Sequence, residues 1–258
     1  MTIPALFDMT GHTVVITGSS RGIGKAIAHR MAEHGANVTV SSRKIDACEA
    51  AAEEINQAIG RDCAIPVACN ISSKDDLQGL VDAARNKWGG VHHVVCNAAS
   101  NPYYGPMADI GDEQFSKILQ NNIVSNHWLV QLTAPEMRER KTGTITVVSS
   151  IGGLKASTVI GAYNISKAAD LQLVRNYAAE LGPDGIRVNA ICPGLIKTDF
   201  ARALWENPDT LKQATAHSTL HRIGEPDEIA GMAVFLAAPA GAFTSGQAMV
   251  IDGGATIV

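Results

Sequence analysis

The chain has 258 residues, of which 46% are hydrophobic, 18% charged and 5% aromatic, with a formal net charge of -4. That balance suits a globular chain with a sizeable core and excludes disordered and collagen-like classes. No basic run favours nucleic acid as a partner, and five cysteines without a CxxC pair argue against a disulfide or zinc framework and for a reducing compartment.

In chain order, Thr13 to Thr17 is a β-branched run, read as a strand, that ends in a glycine cluster. Ile23 to His34 has helical spacing and is stopped by Gly35. Asn37 to Ser42 reads as a strand, Ile45 to Ile59 as a helix, and Cys63 to Ala68 as a strand that tolerates Pro66 only where no ladder bond is donated. Ser73 to Asp76 resembles a capping box opening a helix that ends at Trp88. Val91 to Cys96 is a strand, Asp112 to Glu139 one long helix, and Thr144 to Val148 a strand. Gly161 to Leu181 is a helix, Arg187 to Cys192 a strand, Pro226 to Ala238 a helix, and Ala248 to Ile251 the last strand.

Strands alternating with helices predict an α/β fold. It is a single-domain Rossmann fold over residues 1–258, with a seven-stranded doubly wound parallel sheet and helices on both faces. The opening residues lack a basic segment and carry Asp8, and the longest apolar stretch, Met232 to Phe243, is broken by Pro239. No membrane partner is expected, and the expected location is cytoplasmic.

The turn after the first strand reads Thr17-Gly-Ser-Ser-Arg-Gly-Ile-Gly24. Gly18, Gly22 and Gly24 permit a tight turn and close approach of backbone to a pyrophosphate at the following helix's N-terminus. The spacing is wrong for a P-loop, since Lys25 is followed by Ala26. At the end of the second strand an NAD site usually places an acid against the ribose 2′-hydroxyl, whereas this chain has Ser42-Arg43-Lys44. With Arg21, Arg43 favours a 2′-phosphate and hence NADP(H) as cofactor; Lys44 is equally readable as a solvated charge.

Tyr163 and Lys167 stand four apart on a predicted helix, about 6 Å between Cβ atoms. A phenol with a solution pKa of about 10 is a weak acid or base at neutral pH, and an ammonium beside it favours the phenolate. Ser150 follows a strand at the edge where parallel sheets bind ligands, and its hydroxyl can hold a carbonyl oxygen. Asn97-Ala98-Ala99 and Pro193-Gly194-Leu195-Ile196-Lys197-Thr198 follow two further strands at that edge.

In this order and spacing, TGxxxGxG, Asn-Ala-Ala, Ser, YxxxK and PGxxxT resemble the short-chain dehydrogenase/reductase superfamily over essentially the whole chain. The resemblance implies Ser150, Tyr163, Lys167 and Asn122 as catalytic residues, with Asn121 an alternative register for the last. Tyr163 would exchange the substrate proton, Lys167 would also bind nicotinamide-ribose hydroxyls, and Asn122 would hold a relay water. It places the cofactor along Gly18, Ser20, Arg21, Gly22, Ile23 and Gly24, then Ser42, Arg43 and Lys44. Asn70 and Ile71 would face the adenine, followed by Asn97, Ala98, Ala99, Pro193, Gly194 and Ile196, with Thr198 at the carboxamide. Asn70 stands where the family often has Asp, and Asn97-Ala-Ala where it often has Asn-Ala-Gly. A homotetramer built through the helices at 112–139 and 161–181 is implied as well.

Ser100 to Gly105, Val148 to Ile151 and Pro193 to Thr198, followed by Phe200 and Leu204-Trp205, are most similar to the NADP-dependent carbonyl and retinal reductases of the dehydrogenase/reductase SDR family member 4 branch. The substrate would be a small carbonyl or alcohol, met by Ser150, Tyr103, Tyr104 and Leu195 and by Phe200 and Trp205 in a lid at about 195–223. Packing on the sheet is an equal reading for Phe200 and Trp205. His92 and His93 read as structural, and no metal is expected. Two alternatives stand beside this reading. One is an NAD-dependent alcohol, sugar or 3-oxoacyl-thioester oxidoreductase; the other is a non-catalytic NADP-sensing or scaffold protein.

Overall fold

A computed structural model describes residues 3–258. Its sheet has the strands β1 (Thr13–Ile16), β2 (Asn37–Ser42), β3 (Ala64–Ala68), β4 (His93–Cys96), β5 (Gly143–Val148), β6 (Ile186–Pro193) and β7 (Ala248–Ile251). All pairings are parallel and the spatial order is β3-β2-β1-β4-β5-β6-β7, the doubly wound arrangement expected. The helices are α1 (Gly22–Glu33), α2 (Ile45–Ile59), α3 (Lys74–Trp88), α4 (Asp112–Leu119), α5 (Ser125–Arg140), α6 (Gly161–Leu181), α7 (Arg202–Trp205), α8 (Pro208–Thr215) and α9 (Pro226–Ala237).

Side chains alternate across the strands, so the two faces have separate cores. Val14, Ile16, Val38, Val40 and Ile191 pack against Ile27 and Met31 of α1, Ile55 of α2 and Ile229 of α9. On the other face, Val15, Val94, Ile145, Val147 and Val188 meet Leu80 of α3, Leu129 and Met137 of α5, and Val174 of α6. Continuous apolar strands such as Thr13 to Ile16 are therefore buried on both sides, as a parallel sheet requires. Pro66 is accommodated because β3 is the edge strand, paired only with β2. Only half of the capping box forms: Ser73 Oγ accepts from the Asp76 amide at 3.1 Å and starts α3, while the Asp76 carboxylate turns to the Asn70 amide and the Ser73 hydroxyl and the Ser73 amide donates to Asn70 O.

One expected element is divided. The helix predicted over 112–139 contains a π-helical turn, Gln120–Val124, between α4 and α5. The wider turn is a local widening that frequently marks functional positions. It brings Asn121 and Asn122 into the interior, Asn122 fully buried.

At the amino edge of the sheet His12, His92 and His93 form a cluster. His12 Nδ1 lies 2.8 Å from His93 Nε2, the His12 and His92 rings stack, and His93 Nδ1 pairs with Thr144 Oγ1 at 2.7 Å. All five cysteines are free and buried.

Candidate active site

At the carboxyl edge the β1–α1 turn, the β2, β4, β5 and β6 ends and the start of α6 enclose a crevice of about 520 Å³. Gly18 and Gly22 have positive φ of 66° and 57°, which L side chains rarely adopt. A Cβ on Gly18 would stand 3.0 Å from Ala98 Cα, and one on Gly24 would collide with the Gly18 carbonyl oxygen. Asn97 clamps this turn: its Nδ2 donates to the carbonyls of Thr17 at 3.0 Å and Gly18 at 2.9 Å. Thr17 Oγ1 in return accepts from the amides of Asn97 and Ala98, each at 3.1 Å. The turn is thus held in place by β4, and the first-turn amides of α1 have no intrahelical acceptors.

Ser150 caps a single helical turn at Ile151–Gly153, and its Oγ accepts from the Gly152 amide at 2.9 Å. That leaves its own O–H to donate into the crevice. The turn rests directly on α6: a Cβ on Gly153 would stand 2.7 Å from the Lys167 carbonyl oxygen, while Ser149 Oγ donates to that carbonyl at 2.8 Å. Tyr163, one helical turn before Lys167, lines the crevice with its ring 6.0 Å from that of Phe200. Lys167 Nζ lies 5.7 Å from the Tyr163 ring centre and donates to Val148 O at 2.9 Å and Asp170 Oδ2 at 3.0 Å. Burial opposes the Lys167 charge, but the Asp170 carboxylate and the phenol oxygen hold its pKa above the ordinary lysine value. Burial dominates at Asp170 and raises its carboxyl, against the pull of Lys167 and Asn126.

Most expected positions meet here. Gly18, Ser20, Arg21, Gly22, Ile23, Ser42, Arg43, Asn70, Ile71, Asn97, Ala98 and Ala99 line one part of the crevice. Ser150, Tyr163, Lys167, Pro193, Gly194, Leu195, Ile196, Thr198 and Phe200 line the other. Asn122 lies behind the wall, its Oδ1 accepting from the Ser100 amide at 2.8 Å and its Nδ2 donating to Ser166 Oγ at 3.0 Å.

Five expected residues lie elsewhere. Gly24 is buried beneath the turn and serves its packing. Lys44 is exposed as the cap of α2. Tyr103 turns its hydroxyl to Pro106 O at 2.9 Å, and Tyr104 is exposed to solvent. Trp205 points to the far side of its segment, donating to Thr198 O at 2.8 Å and lining a separate groove with Lys25, His29 and Lys197. The lining also includes residues outside the expected set, among them Cys69, Ser100, Lys117, Ile160, Asp199 and Ala201. Asp170 and Asn126 were also missed, although Asp170 stands at i+3 from Lys167, a spacing that shares a helix face.

The crevice presents unpaired polar groups to a dinucleotide. Arg43 has no carboxylate partner among the described residues, Lys117 adds a second cation, and the buried Asn121 Oδ1 has no hydrogen-bond partner. Arg21, by contrast, pairs with Asp199 at 3.1 Å across the mouth.

A family model described as Enoyl-(Acyl carrier protein) reductase matches residues 18–256. The chain is 35% identical to mouse dehydrogenase/reductase SDR family member 4 over 250 residues, 95% of this chain and 88% of the relative. It is 36% identical to the rabbit protein of that name, covering 96% and 94% of the two chains. Among solved structures, a 7α-hydroxysteroid dehydrogenase complexed with NADH and 7-oxo glycochenodeoxycholic acid superposes with a TM-score of 0.92. The two share 36% identity over 98% of each chain. Fold and relatives define an oxidoreductase class built around a nicotinamide cofactor. The chain belongs to the short-chain dehydrogenase/reductase superfamily, and its relatives include the family member 4 branch.

Proposed function

We propose that this protein is an NADP(H)-dependent reductase that interconverts a ketone or aldehyde of moderate size with its alcohol. The observation that carries this reading is Arg43, a cation without a carboxylate partner among the described residues, on the crevice wall at the end of β2. An arginine there matches a 2′-phosphate by charge-assisted hydrogen bonds, whereas an NAD site needs an acceptor. The same reading takes residues 1–258 as one domain, 195–223 as a cover over the crevice, and a cytoplasmic homotetramer as the working form.

When bound, the nicotinamide supplies or accepts the hydride. Ser150, whose oxygen already accepts from the Gly152 amide, donates a hydrogen bond to the substrate carbonyl oxygen and keeps its proton. Tyr163 transfers its phenolic proton to that oxygen as negative charge develops there. Lys167 holds ribose hydroxyls and favours the phenolate that Tyr163 leaves behind. Arg43 and the α1 amides take the phosphates, and Phe200 covers the apolar side near Tyr163.

Purified protein should oxidise NADPH with diketones or aryl ketones. Tyr163→Phe should lower turnover by about 10²–10⁴-fold with cofactor binding kept. Full activity in that variant would sink the mechanism. An NAD-dependent oxidoreductase is the second reading, favoured by the NADH held in the hydroxysteroid dehydrogenase neighbour. Dissociation constants for NADPH and NADH, measured by nucleotide fluorescence, separate the two.

A further inference from the structure

Helix α6 carries a third ionisable group that the mechanism above leaves unused. Asp170 is 0% exposed, and both its carboxylate oxygens are occupied. Oδ2 accepts from Lys167 Nζ at 3.0 Å and Oδ1 from Asn126 Nδ2 at 3.0 Å. Asn126 Nδ2 also donates to the Asn122 carbonyl at 2.7 Å. One chain of polar contacts therefore runs from the π-helical turn to the Lys167 ammonium. An ammonium has three donors. Val148 O and Asp170 fix two of them, leaving one for the crevice that Lys167 lines.

Among the described residues the surroundings offer no other counter-charge. Tyr163 faces Lys167 from α6, Cys96 lies nearby on β4 and Cys192 on β6, while α5 presents only the neutral Asn126 amide. Burial holds both thiols above their ordinary range, Cys192 at about 11, so neither is an anion at neutral pH. A fully buried ammonium without a partner is driven towards its neutral form.

We propose that Asp170 is the positioning residue for Lys167: with Asn126 it aims the ammonium, supplies its counter-charge and ties both to the turn that holds Asn122. This inference rests on the reading of Lys167 as the group that meets the nicotinamide ribose. It makes the charged pair, rather than lysine alone, the unit on which alkaline activity depends.

The test begins with the wild-type chain and whichever nicotinamide cofactor it binds. Absence of both binding and turnover there would overturn the underlying reading and this inference with it. Given wild-type binding, Asp170→Asn keeps the shape and removes the charge. Its cofactor affinity and kcat/KM should each fall about tenfold near pH 8–9, and the alkaline limb of both should move down by about one pH unit or more. Asp170→Glu should return the limb towards wild type. A folded Asp170→Asn protein with the wild-type limb and cofactor affinity would reduce Asp170 to a structural group and overturn the proposal.

Two further measurements apply whether or not Asp170→Asn folds alone. Asn126→Ala keeps the charge but releases the carboxylate, so kcat should fall several-fold with the limb unmoved. Wild-type kcat there would contradict the aiming role. In the Lys167→Met/Asp170→Asn double variant, where no buried charge is left unpaired, cofactor affinity should fall no further than in Lys167→Met alone. An additive loss would show that Asp170 acts other than through Lys167.

Discussion

Thr17 and Asn97 hold the nucleotide turn through four hydrogen bonds of 2.9–3.1 Å that exist before any ligand arrives. Asn97→Ala removes two of them and strands the carbonyls of Thr17 and Gly18. Urea unfolding should register a loss of about 1–3 kcal/mol, and cofactor affinity should weaken in parallel. Arg43 differs, because it is exposed and contributes nothing visible to packing. Arg43→Ala should raise the NADPH dissociation constant roughly ten- to hundredfold, the equivalent of about 1.5–3 kcal/mol, and leave NADH nearly unchanged. Equal losses for both nucleotides would refute the 2′-phosphate role. These residue-level roles were legible in sequence because each motif sits at a strand end, where the topology forces it to the crevice. Trp205 and Tyr103 were harder to read: an aromatic in a connecting segment can face either side, and hydrogen bonds to Thr198 O and Pro106 O decided the matter.

At the scale of elements, the proposed catalysis depends on how closely the Ser150 turn sits on α6. Gly153 allows that approach, so Gly153→Ala forces a separation between the turn and the Lys167 backbone. We expect a stability loss of about 1–3 kcal/mol and a fall in kcat that exceeds any change in KM, read from steady-state kinetics and thermal melts. The Arg21–Asp199 pair spans the crevice mouth with both side chains largely in solvent, so it adds little to stability. In the proposed function its carboxylate competes with a cofactor phosphate for Arg21. Asp199→Asn should tighten NADPH binding several-fold at low salt, an effect that fades as ionic strength rises. Element boundaries were mostly readable from periodicity and caps. The π-helical turn was not, since Gln120 to Val124 continues the helical pattern and only the burial of Asn121 and Asn122 sets it apart.

For the whole molecule, the parallel sheet separates two chemistries. The carboxyl edge holds the crevice, and the amino edge holds three histidines. Burial keeps His93 well below its ordinary pKa and also lowers His12 and His92. The folded state therefore binds fewer protons than the unfolded chain below pH of about 6.5. This stabilisation is fully present above that pH and is lost progressively as the pH falls through it. Urea midpoints should accordingly drop between pH 7.5 and pH 5.5, before carboxylates titrate. A flat midpoint across that range would show that the histidines take up protons equally in the folded and unfolded states, and so are not held low by burial.

The burial of all five thiols turns them into internal clocks. An alkylating reagent can reach them only when the structure opens, so its rate at each site measures the local opening equilibrium. Cys96 ends β4 and Cys192 stands next to last in β6, both close to Lys167, whereas Cys63 immediately precedes β3 on the far flank. Mass-resolved labelling should show the cofactor slowing modification at Cys96 and Cys192 far more than at Cys63. Mutant enzymes could then be sorted by whether they loosen the active-site floor or the entire fold, without any substrate being known.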